Sequence, residues 1–240
     1  MNPAAVYIQT HTQCNSNCSI CPHPKAYSEF GKQRMDSTLF YEIMCDLSSC
    51  NYGGVIGLFL QMEPLMDDRI FSFVRLAKEY CPFAIIEIST NGILLEDNMD
   101  ELKASPADNI YLNYGSIKYG STPAKVIDMV NELAKHKYVI INNPMMEEDN
   151  ISHLFPGCRV DNFWVSNRGG NLDNIKHGQE TRFAKRECRQ LNIVASGDVI
   201  LCCNDYMREY VFGNAKDENI IKIWNEIPKH FDYPICQKCI

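Results

Sequence analysis

The feature that most constrains the fold is a repeated alternation of short apolar runs and longer amphipathic stretches over residues 1–175. The apolar runs predict six strands: Val6–Thr10, Val55–Leu60, Ile85–Ser89, Ile110–Asn113, Val139–Asn142 and Phe163–Ser166. The amphipathic stretches predict four helices: Ser37–Ser49, Asp68–Glu79, Asp97–Lys103 and Pro123–Lys135. Because nearly continuous apolar strands that alternate with helices form buried parallel sheets, we expect an α/β fold. Six strands are too few for a closed eight-stranded barrel, so the sheet is predicted to be an open, partial barrel.

Polar residues mark the starts of two predicted helices. Ser37 is a candidate N-cap for the first of them, because its hydroxyl can accept a hydrogen bond from an amide of the first turn. Asp67 or Asp68 is the candidate for the second.

The pattern changes after about residue 175. Leu191–Ala195 and Val199–Cys202 predict a hairpin with a Gly-Asp turn, and Ile220–Ile227 predicts a short helix. We therefore predict two domains, a partial barrel over residues 1–175 and a small C-terminal domain over residues 176–240.

Composition excludes several classes of protein. The net charge is −7 and the basic residues are scattered, so we expect no nucleic-acid partner. No apolar run approaches the roughly 20 residues that a membrane span needs, and the N-terminus does not resemble a secretory signal. We expect no membrane partner and a cytoplasmic location. Twelve cysteines in such a chain favour metal binding or chemistry over disulfides.

The first group of cysteines, Cys14, Cys18 and Cys21, has C-x3-C-x2-C spacing and follows the first predicted strand. Three thiolates on one loop can hold three irons of a 4Fe–4S cubane and leave the fourth iron open. Two alternatives stay open at this point. Zinc could bind the three cysteines with His11 or His23, or the cysteines could be buried and structural.

This spacing, its position and the βα order resemble the radical S-adenosylmethionine superfamily. The resemblance implies that the open iron binds S-adenosylmethionine, which is cleaved to a 5′-deoxyadenosyl radical that abstracts hydrogen from the substrate. It also implies an external one-electron reductant such as flavodoxin or ferredoxin.

The resemblance extends to residues at the strand ends, and it implies a set of cofactor-binding residues: Ile20, Gln61, Glu63, Ser89, Asn91, Asn113 and Arg168. Two positions depart from the family. Ile20 stands where an aromatic residue is common. Gln61-Met62 replaces the two glycines of a Gly-Gly-Glu-Pro motif, while Glu63 and Pro64 match it.

A second group of cysteines, Cys188, Cys202, Cys236 and Cys239, provides four thiolates. Four thiolates saturate a cubane, although zinc is an alternative for this set. The arrangement resembles the Twitch domain, the short form of the SPASM domain, which implies one auxiliary 4Fe–4S cluster. Cys203 is predicted to be structural, because its side chain should face away from that of Cys202.

Arg168 and two glycines follow the sixth predicted strand, where ligands of parallel sheets bind. The segment resembles that of radical dehydrogenases with one auxiliary cluster, and it implies that Arg168 contacts the cofactor carboxylate or a substrate hydroxyl. The leading hypothesis is net oxidation of an alcohol to a ketone in a small metabolite of a biosynthetic pathway.

Two other functions stay open. One is a peptide-modifying enzyme, either a cross-linking enzyme or an epimerase in which Cys158 would donate hydrogen. Against it, no leader-binding domain is expected before Cys14. The other is a zinc-stabilised binding module without catalysis.

Overall fold

The structure is a computed structural model, and it describes residues 2–172, 189–228 and 233–238. The strands in these ranges are β1 Ala5–Ile8, β2 Val55–Gly57, β3 Ile85–Thr90, β4 Asn109–Asn113, β5 Tyr138–Met145, β6 Arg159–Trp164, β7 Gln190–Ile193, β8 Asp198–Ile200 and β9 Val211–Asn214. The α-helices are α1 His23–Phe30, α2 Ser37–Ser49, α3 Ile70–Tyr80, α4 Leu95–Ala104, α5 Gly115–Tyr119, α6 Val126–Leu133, α7 Ile220–Glu226 and α8 Pro234–Lys238.

All these strands form one sheet in the order β6-β5-β4-β3-β2-β1-β7-β8-β9. The strands from β6 to β7 in this order are parallel, whereas β7, β8 and β9 are antiparallel. The predicted α/β fold with an open parallel sheet is confirmed. The last parallel strand begins at Arg159, four residues before its predicted start. Its first residues are polar because β6 is an edge strand, so no apolar run marks them.

The expectation of nearly continuous apolar strands holds for β5, which buries Val139, Ile140 and Ile141 in succession, whereas β4 alternates in polarity. In β4, Ile110 and Leu112 are 1% exposed and belong to the core between the sheet and its helices. Asn109, Tyr111 and Asn113 lie on the other, concave face of the strand. The concave face therefore carries side chains that can bind a polar ligand.

Local hydrogen bonds at the starts of helices α2 and α3 show how these helices begin. Helix α2 has its predicted bounds, but its N-cap is Asp36 rather than Ser37, because the Asp36 carboxylate accepts from Thr38 N at 2.7 Å. Helix α3 begins at Ile70, two residues after its predicted start. The N-cap of α3 is Arg69, so neither Asp67 nor Asp68 occupies the predicted capping position; Asp67 instead accepts from Arg69 N at 3.1 Å, ahead of the helix.

The C-terminal strands extend the same sheet, because β7 pairs with β1. The predicted hairpin is confirmed as β7 and β8, with Gly197 in its turn at a φ of 95° and Asp198 as the first strand residue. The predicted domain boundary near residue 175, together with Cys188 and Cys239, lies outside the described residues. In the part of the chain that the structure describes, no helix is long and apolar enough to cross a membrane.

Candidate active site

A cavity of about 370 Å³ opens at the carboxyl ends of the parallel strands. The described residues that the sequence predicts for the first cluster and for the cofactor all line it: Cys14, Cys18, Ile20, Cys21, Gln61, Glu63, Ser89, Asn91, Asn113 and Arg168. Ligands of parallel α/β sheets bind at this end, so its position fits a catalytic cavity.

The three N-terminal cysteines lie on the loop between β1 and α1. Cys21 N donates to Cys18 O at 3.1 Å, and Ser19 N donates to Tyr119 O at 2.8 Å, which fastens the loop to the end of α5. Gly120 allows a close approach here, because a Cβ at this position would lie 2.7 Å from Cys18 Sγ.

Burial raises the pKa of the Cys14 thiol to about 11, with smaller contributions from Glu63, Cys21 and Cys18, although a backbone hydrogen bond from Ser16 opposes the shift. Burial also raises the pKa of Cys18. Thiols grouped in this way become thiolates when a cationic centre replaces their protons. The donor set therefore fits an iron–sulfur cluster, which needs thiolate ligands.

His11 is engaged by the protein on both ring nitrogens. Its Nδ1 accepts from Gln13 N at 3.0 Å, so Nε2 carries the proton and donates to Glu63 O at 3.0 Å. Burial lowers the pKa of His11, which agrees with a neutral ring. This histidine has no nitrogen left for the zinc site that the sequence left open.

Glu63 is a buried carboxylate at the end of the β2 region. Oε1 accepts from Thr90 Oγ1 at 2.7 Å and from Leu65 N at 3.2 Å, and Oε2 accepts from Asn91 N at 2.7 Å. Burial raises its pKa to about 7, although these three donors oppose the shift. Glu63 thus joins the strand ends of β2 and β3 beneath the cavity.

Polar side chains form a ladder across three neighbouring strand ends. Asn113 Nδ2 donates to Ser89 Oγ at 3.0 Å, and Asn142 Nδ2 donates to Asn113 Oδ1 at 3.3 Å. All three residues line the cavity. The ladder offers hydroxyl and amide groups to a ligand with several oxygen or nitrogen atoms.

Asn91 contacts the cysteine loop directly. Its Nδ2 donates to Asn15 Oδ1 at 2.8 Å and lies 3.8 Å from Cys14 Sγ. Its Oδ1 accepts from Ile93 N at 2.9 Å. These contacts support a role for Asn91 in placing the loop, beside the predicted role in cofactor binding.

Arg168 lies in the loop after β6 and lines the cavity with a φ of 53°, in the left-handed region. Arg168 N donates to Ser166 Oγ at 3.4 Å, and Asn171 Nδ2 donates to Arg168 O at 2.8 Å. This loop brings a cation to a cavity that also holds Glu63 and the three cysteines.

Comparison with known proteins identifies the C-terminal part first. Residues 185–240 match the SPASM family, an iron–sulfur cluster-binding domain. The chain is also 27% identical over 224 residues to an S-adenosyl-L-methionine-dependent 2-deoxy-scyllo-inosamine dehydrogenase from Niallia circulans, covering 92% of this chain and 81% of the relative. The chain is therefore similar to an S-adenosyl-L-methionine-dependent dehydrogenase, and its C-terminal part matches an iron–sulfur cluster-binding domain.

Solved structures share the fold. BtrN in complex with AdoMet and 2-DOIA superposes with a TM-score of 0.72 at 22% identity, covering 100% of this chain and 94% of BtrN. SuiB from Streptococcus suis, bound to the precursor peptide SuiA, gives a TM-score of 0.76 at 14% identity, covering 99% of this chain and 70% of SuiB. An anSMEcpe structure with bound AdoMet gives 0.64 at 14% identity, covering 95% and 81% of the two chains. The SPASM match supports the predicted iron–sulfur cluster in the C-terminal part of the chain, and two of these solved structures hold AdoMet.

Gln61 stands at one of the two glycine positions of the Gly-Gly-Glu-Pro motif, so it departs from the family that the sequence resembles. It is 5% exposed, and within the described residues its Nε2 has no hydrogen-bond partner. Its backbone carbonyl accepts from Gln9 Nε2 at 3.0 Å. Because a buried amide donor without a partner is costly, the unpaired Nε2 indicates that a ligand or water completes this part of the site.

The described C-terminal cysteines differ in whether their side chains line the cavity. Cys203, predicted to be structural, lines the cavity. Its neighbour Cys202 is half-buried, as is Cys236 in α8. Cys158, the candidate hydrogen donor of the epimerase hypothesis, packs instead against the hydrophobic core. Among the described residues, Cys203 is therefore the thiol outside the two predicted ligand sets that reaches the cavity.

Several lining residues are absent from the predicted cluster and cofactor sets: Tyr7, His23, Phe59, Gly115, Asn142, Pro144, Phe163, Cys203 and Tyr206. Of these, His23 is predicted only as a possible zinc ligand and Cys203 only as a structural cysteine. Asn142 could have been found from the predicted parallel strands, because it is the register partner of Asn113 in the pairing of β4 with β5. No local signal marks Tyr206, which reaches the cavity from a loop after β8.

Proposed function

We propose that this chain is a radical S-adenosylmethionine oxidoreductase that converts an alcohol carbon of a small hydroxylated metabolite to a ketone. The observation that carries the proposal is the convergence of three loop cysteines, the polar strand ends and Arg168 on one cavity. A cluster and S-adenosylmethionine bound there would supply the radical that removes hydrogen from the substrate. The other roles belong to side chains of this chain.

The first group of these side chains binds and orients the cofactor. Cys14, Cys18 and Cys21 are the proposed cluster ligands, and Asn91 holds the cysteine loop through Asn15. Gln61 Nε2 is a donor without a protein partner in the described residues, and it can donate to an acceptor of the cofactor. The side chain of Ile20, 5% exposed at the cavity wall, provides an apolar surface for the adenine.

The second group recognises the substrate. The Ser89–Asn113–Asn142 ladder presents hydrogen-bonding groups that match a molecule with several hydroxyls. Arg168 adds a fixed positive charge that can hold a hydroxyl as its proton leaves. A cavity of about 370 Å³ suits small molecules, since ligand pockets span roughly 300–1,000 Å³. The curated relative, by its name, acts on 2-deoxy-scyllo-inosamine.

The number of electrons removed from the substrate explains why a second cluster is needed. Oxidation of an alcohol to a ketone removes two electrons, and abstraction of one hydrogen atom removes only the first. The proton and the second electron must then leave the substrate, so a one-electron acceptor is needed. We propose Cys188, Cys202, Cys236 and Cys239 as ligands of that acceptor, an auxiliary 4Fe–4S cluster. An external one-electron reductant such as flavodoxin or ferredoxin would start the reaction. We propose a cytoplasmic location, where such a reductant would be available.

A peptide substrate is the second candidate. The fold of SuiB, which was crystallised with its precursor peptide, supports it. In this case the edge strand β6, with Trp164 58% exposed, would be available to an extended chain.

The test uses anaerobically reconstituted protein, S-adenosylmethionine, a chemical reductant and carbon-deuterated inositols, deoxyinositols and aminocyclitols. Mass spectrometry measures deuterium in 5′-deoxyadenosine and a ketone product. The proposal expects both with at least one polyol. Deuterium transfer from a peptide library and from no polyol would favour the second candidate.

A double variant, C202A together with C236A, examines the second cluster. It should keep 5′-deoxyadenosine formation and lose the ketone. C45A is the matched control, because Cys45 lies on helix α2, which carries none of the proposed ligands. Unchanged ketone formation in the double variant would contradict the electron-acceptor role.

A further inference from the structure

The hydroxyl of Tyr206 lies 3.8 Å from Cys21 Sγ, across 185 residues of sequence. Tyr206 is 7% exposed, and its side chain lines the cavity. This contact joins the loop after β8 to the cysteine loop. The distance is within the longer range of hydrogen bonds to sulfur.

Each of the other two loop cysteines has a polar neighbour of its own. Ser16 Oγ lies 3.3 Å from Cys18 Sγ, and Asn91 Nδ2 lies 3.8 Å from Cys14 Sγ. A thiolate bound to iron carries no proton and can only accept. With a cluster in place, the hydroxyl of Tyr206 must therefore be the donor toward Cys21.

We propose that Tyr206 is a positioning residue that raises the reduction potential of the cluster held by Cys14, Cys18 and Cys21. The inference rests on the proposed function, since it requires that cluster. A hydrogen bond to a ligand sulfur stabilises the reduced cluster, which carries more negative charge. Removing the donor makes reduction harder and shifts the potential to a more negative value.

The position of Tyr206 in the chain gives this contact a further consequence. Ser16 and Asn91 belong to the N-terminal half, whereas Tyr206 lies within residues 185–240, the iron–sulfur domain match. It follows the proposed auxiliary ligand Cys202 by four residues. The potential of the radical-generating cluster thus depends on correct placement of the C-terminal part.

The loop that carries Tyr206 is braced independently of its hydroxyl. Asp205 N donates to Cys202 O at 3.0 Å, and the buried Asp205 carboxylate accepts from Glu209 N at 2.8 Å and Tyr210 N at 3.1 Å. The Arg208 guanidinium lies 4.0 Å over the Phe30 ring. The variant Y206F should therefore keep the loop in place and lose only the donor.

The experiment is an anaerobic redox titration of the reconstituted full chain, followed by electron paramagnetic resonance. The signal that changes when S-adenosylmethionine is added identifies the first cluster. Y206F should titrate at a more negative potential than the wild type. Y7F is the matched control, because Tyr7 lines the same cavity and hydrogen-bonds none of the three cysteines in the described structure. Its potential should equal that of the wild type.

A second variant keeps the test decisive if Y206F does not assemble the cluster. In a protein with 3-fluorotyrosine at position 206, the ring and hydroxyl remain and the hydroxyl is a stronger donor, so the potential should rise. Equal reduction potentials in wild type, Y206F and the fluorotyrosine protein would overturn the role of Tyr206 and leave the proposed function intact. A wild-type chain that gains no signal sensitive to S-adenosylmethionine would overturn the proposed function instead.

Discussion

The carboxylate of Glu63 accepts a hydrogen bond from the backbone amide of Asn91 at 2.7 Å, and this contact links the ends of two neighbouring strand regions. The same carboxylate accepts from Thr90 Oγ1 and Leu65 N through its other oxygen. A carboxylate can accept at both oxygens, whereas an amide can accept at only one. The Glu63 side chain therefore fixes the position of Asn91 and, through it, of the cysteine loop.

The variant E63Q should lose stability and S-adenosylmethionine affinity together. At least one of the three buried donors then faces an NH2 group, which costs about 1–3 kcal/mol. Thermal unfolding and equilibrium dialysis with labelled cofactor measure the two effects. The exposed Glu148 provides the control variant E148Q, which should change neither. Wild-type stability and affinity in E63Q would contradict the role assigned to Glu63.

Gly115 lies in the cavity wall, where its missing side chain allows close packing. A Cβ at this position would lie 2.6 Å from Pro144 Cγ and 3.1 Å from Ile20 Cδ1. We expect G115A to weaken S-adenosylmethionine binding by about tenfold, or about 1.4 kcal/mol, because the Pro144 ring at the cavity wall must shift to admit the new Cβ. Calorimetric titration of reconstituted protein checks this.

The control for G115A is G53A, since a Cβ at Gly53 has no neighbour closer than 3.7 Å. Its affinity should equal that of the wild type. Equal affinities for G115A and G53A would mean that Ile20 and Pro144 do not shape the cofactor site.

Asp67 anchors two arginines behind the site. Its buried carboxylate accepts from Arg69 Nη2 at 2.9 Å and from Arg34 Nη2 at 3.3 Å. Burial alone would raise the pKa of Asp67, but the bonds from Arg69 hold it below the usual 3.8. Because the pKa is lowered in the fold, this stabilisation is present above pH 3.8 and is lost as the pH falls through the folded pKa.

D67N should therefore lower the free energy of unfolding by about 3 kcal/mol at neutral pH, because it leaves the partly buried Arg69 without its charge partner. Chemical denaturation of the reconstituted protein measures the change. D68N is the matched control: Asp68 is 79% exposed and also contacts Arg34, so its loss should cost less than about 1 kcal/mol. Similar losses for both variants would refute the argument from burial.

The sequence predicts the parts of the site that depend on local spacing. The loop cysteines, Glu63 and Asn113 follow predicted strands, and parallel strands bring their carboxyl ends to one edge. Residues such as Tyr206 could not be found in this way. Its place beside Cys21 depends on the loop after β8 and on pairing of β7 with β1, contacts between distant parts of the chain.

The polarity of the strands shows a second limit of the sequence. The prediction of nearly continuous apolar strands does not anticipate the polar positions within β3 and β4. Glu87, for example, lies on the concave face, where it accepts from Asn109 Nδ2 at 2.8 Å and Tyr111 OH at 3.2 Å. Ser89 and Asn113 of the same two strands line the cavity, where polar side chains can bind a ligand.

The central claim is that Cys14, Cys18 and Cys21 hold a cluster that cleaves S-adenosylmethionine. The most direct measurement is 5′-deoxyadenosine formed by anaerobically reconstituted protein with a strong reductant, compared with the C14A/C18A/C21A variant and with C45A. Wild type and C45A should form 5′-deoxyadenosine, while the triple variant should form none and bind about four fewer irons per chain. Equal 5′-deoxyadenosine formation by the triple variant, or a wild-type chain that binds zinc and forms none, would contradict it.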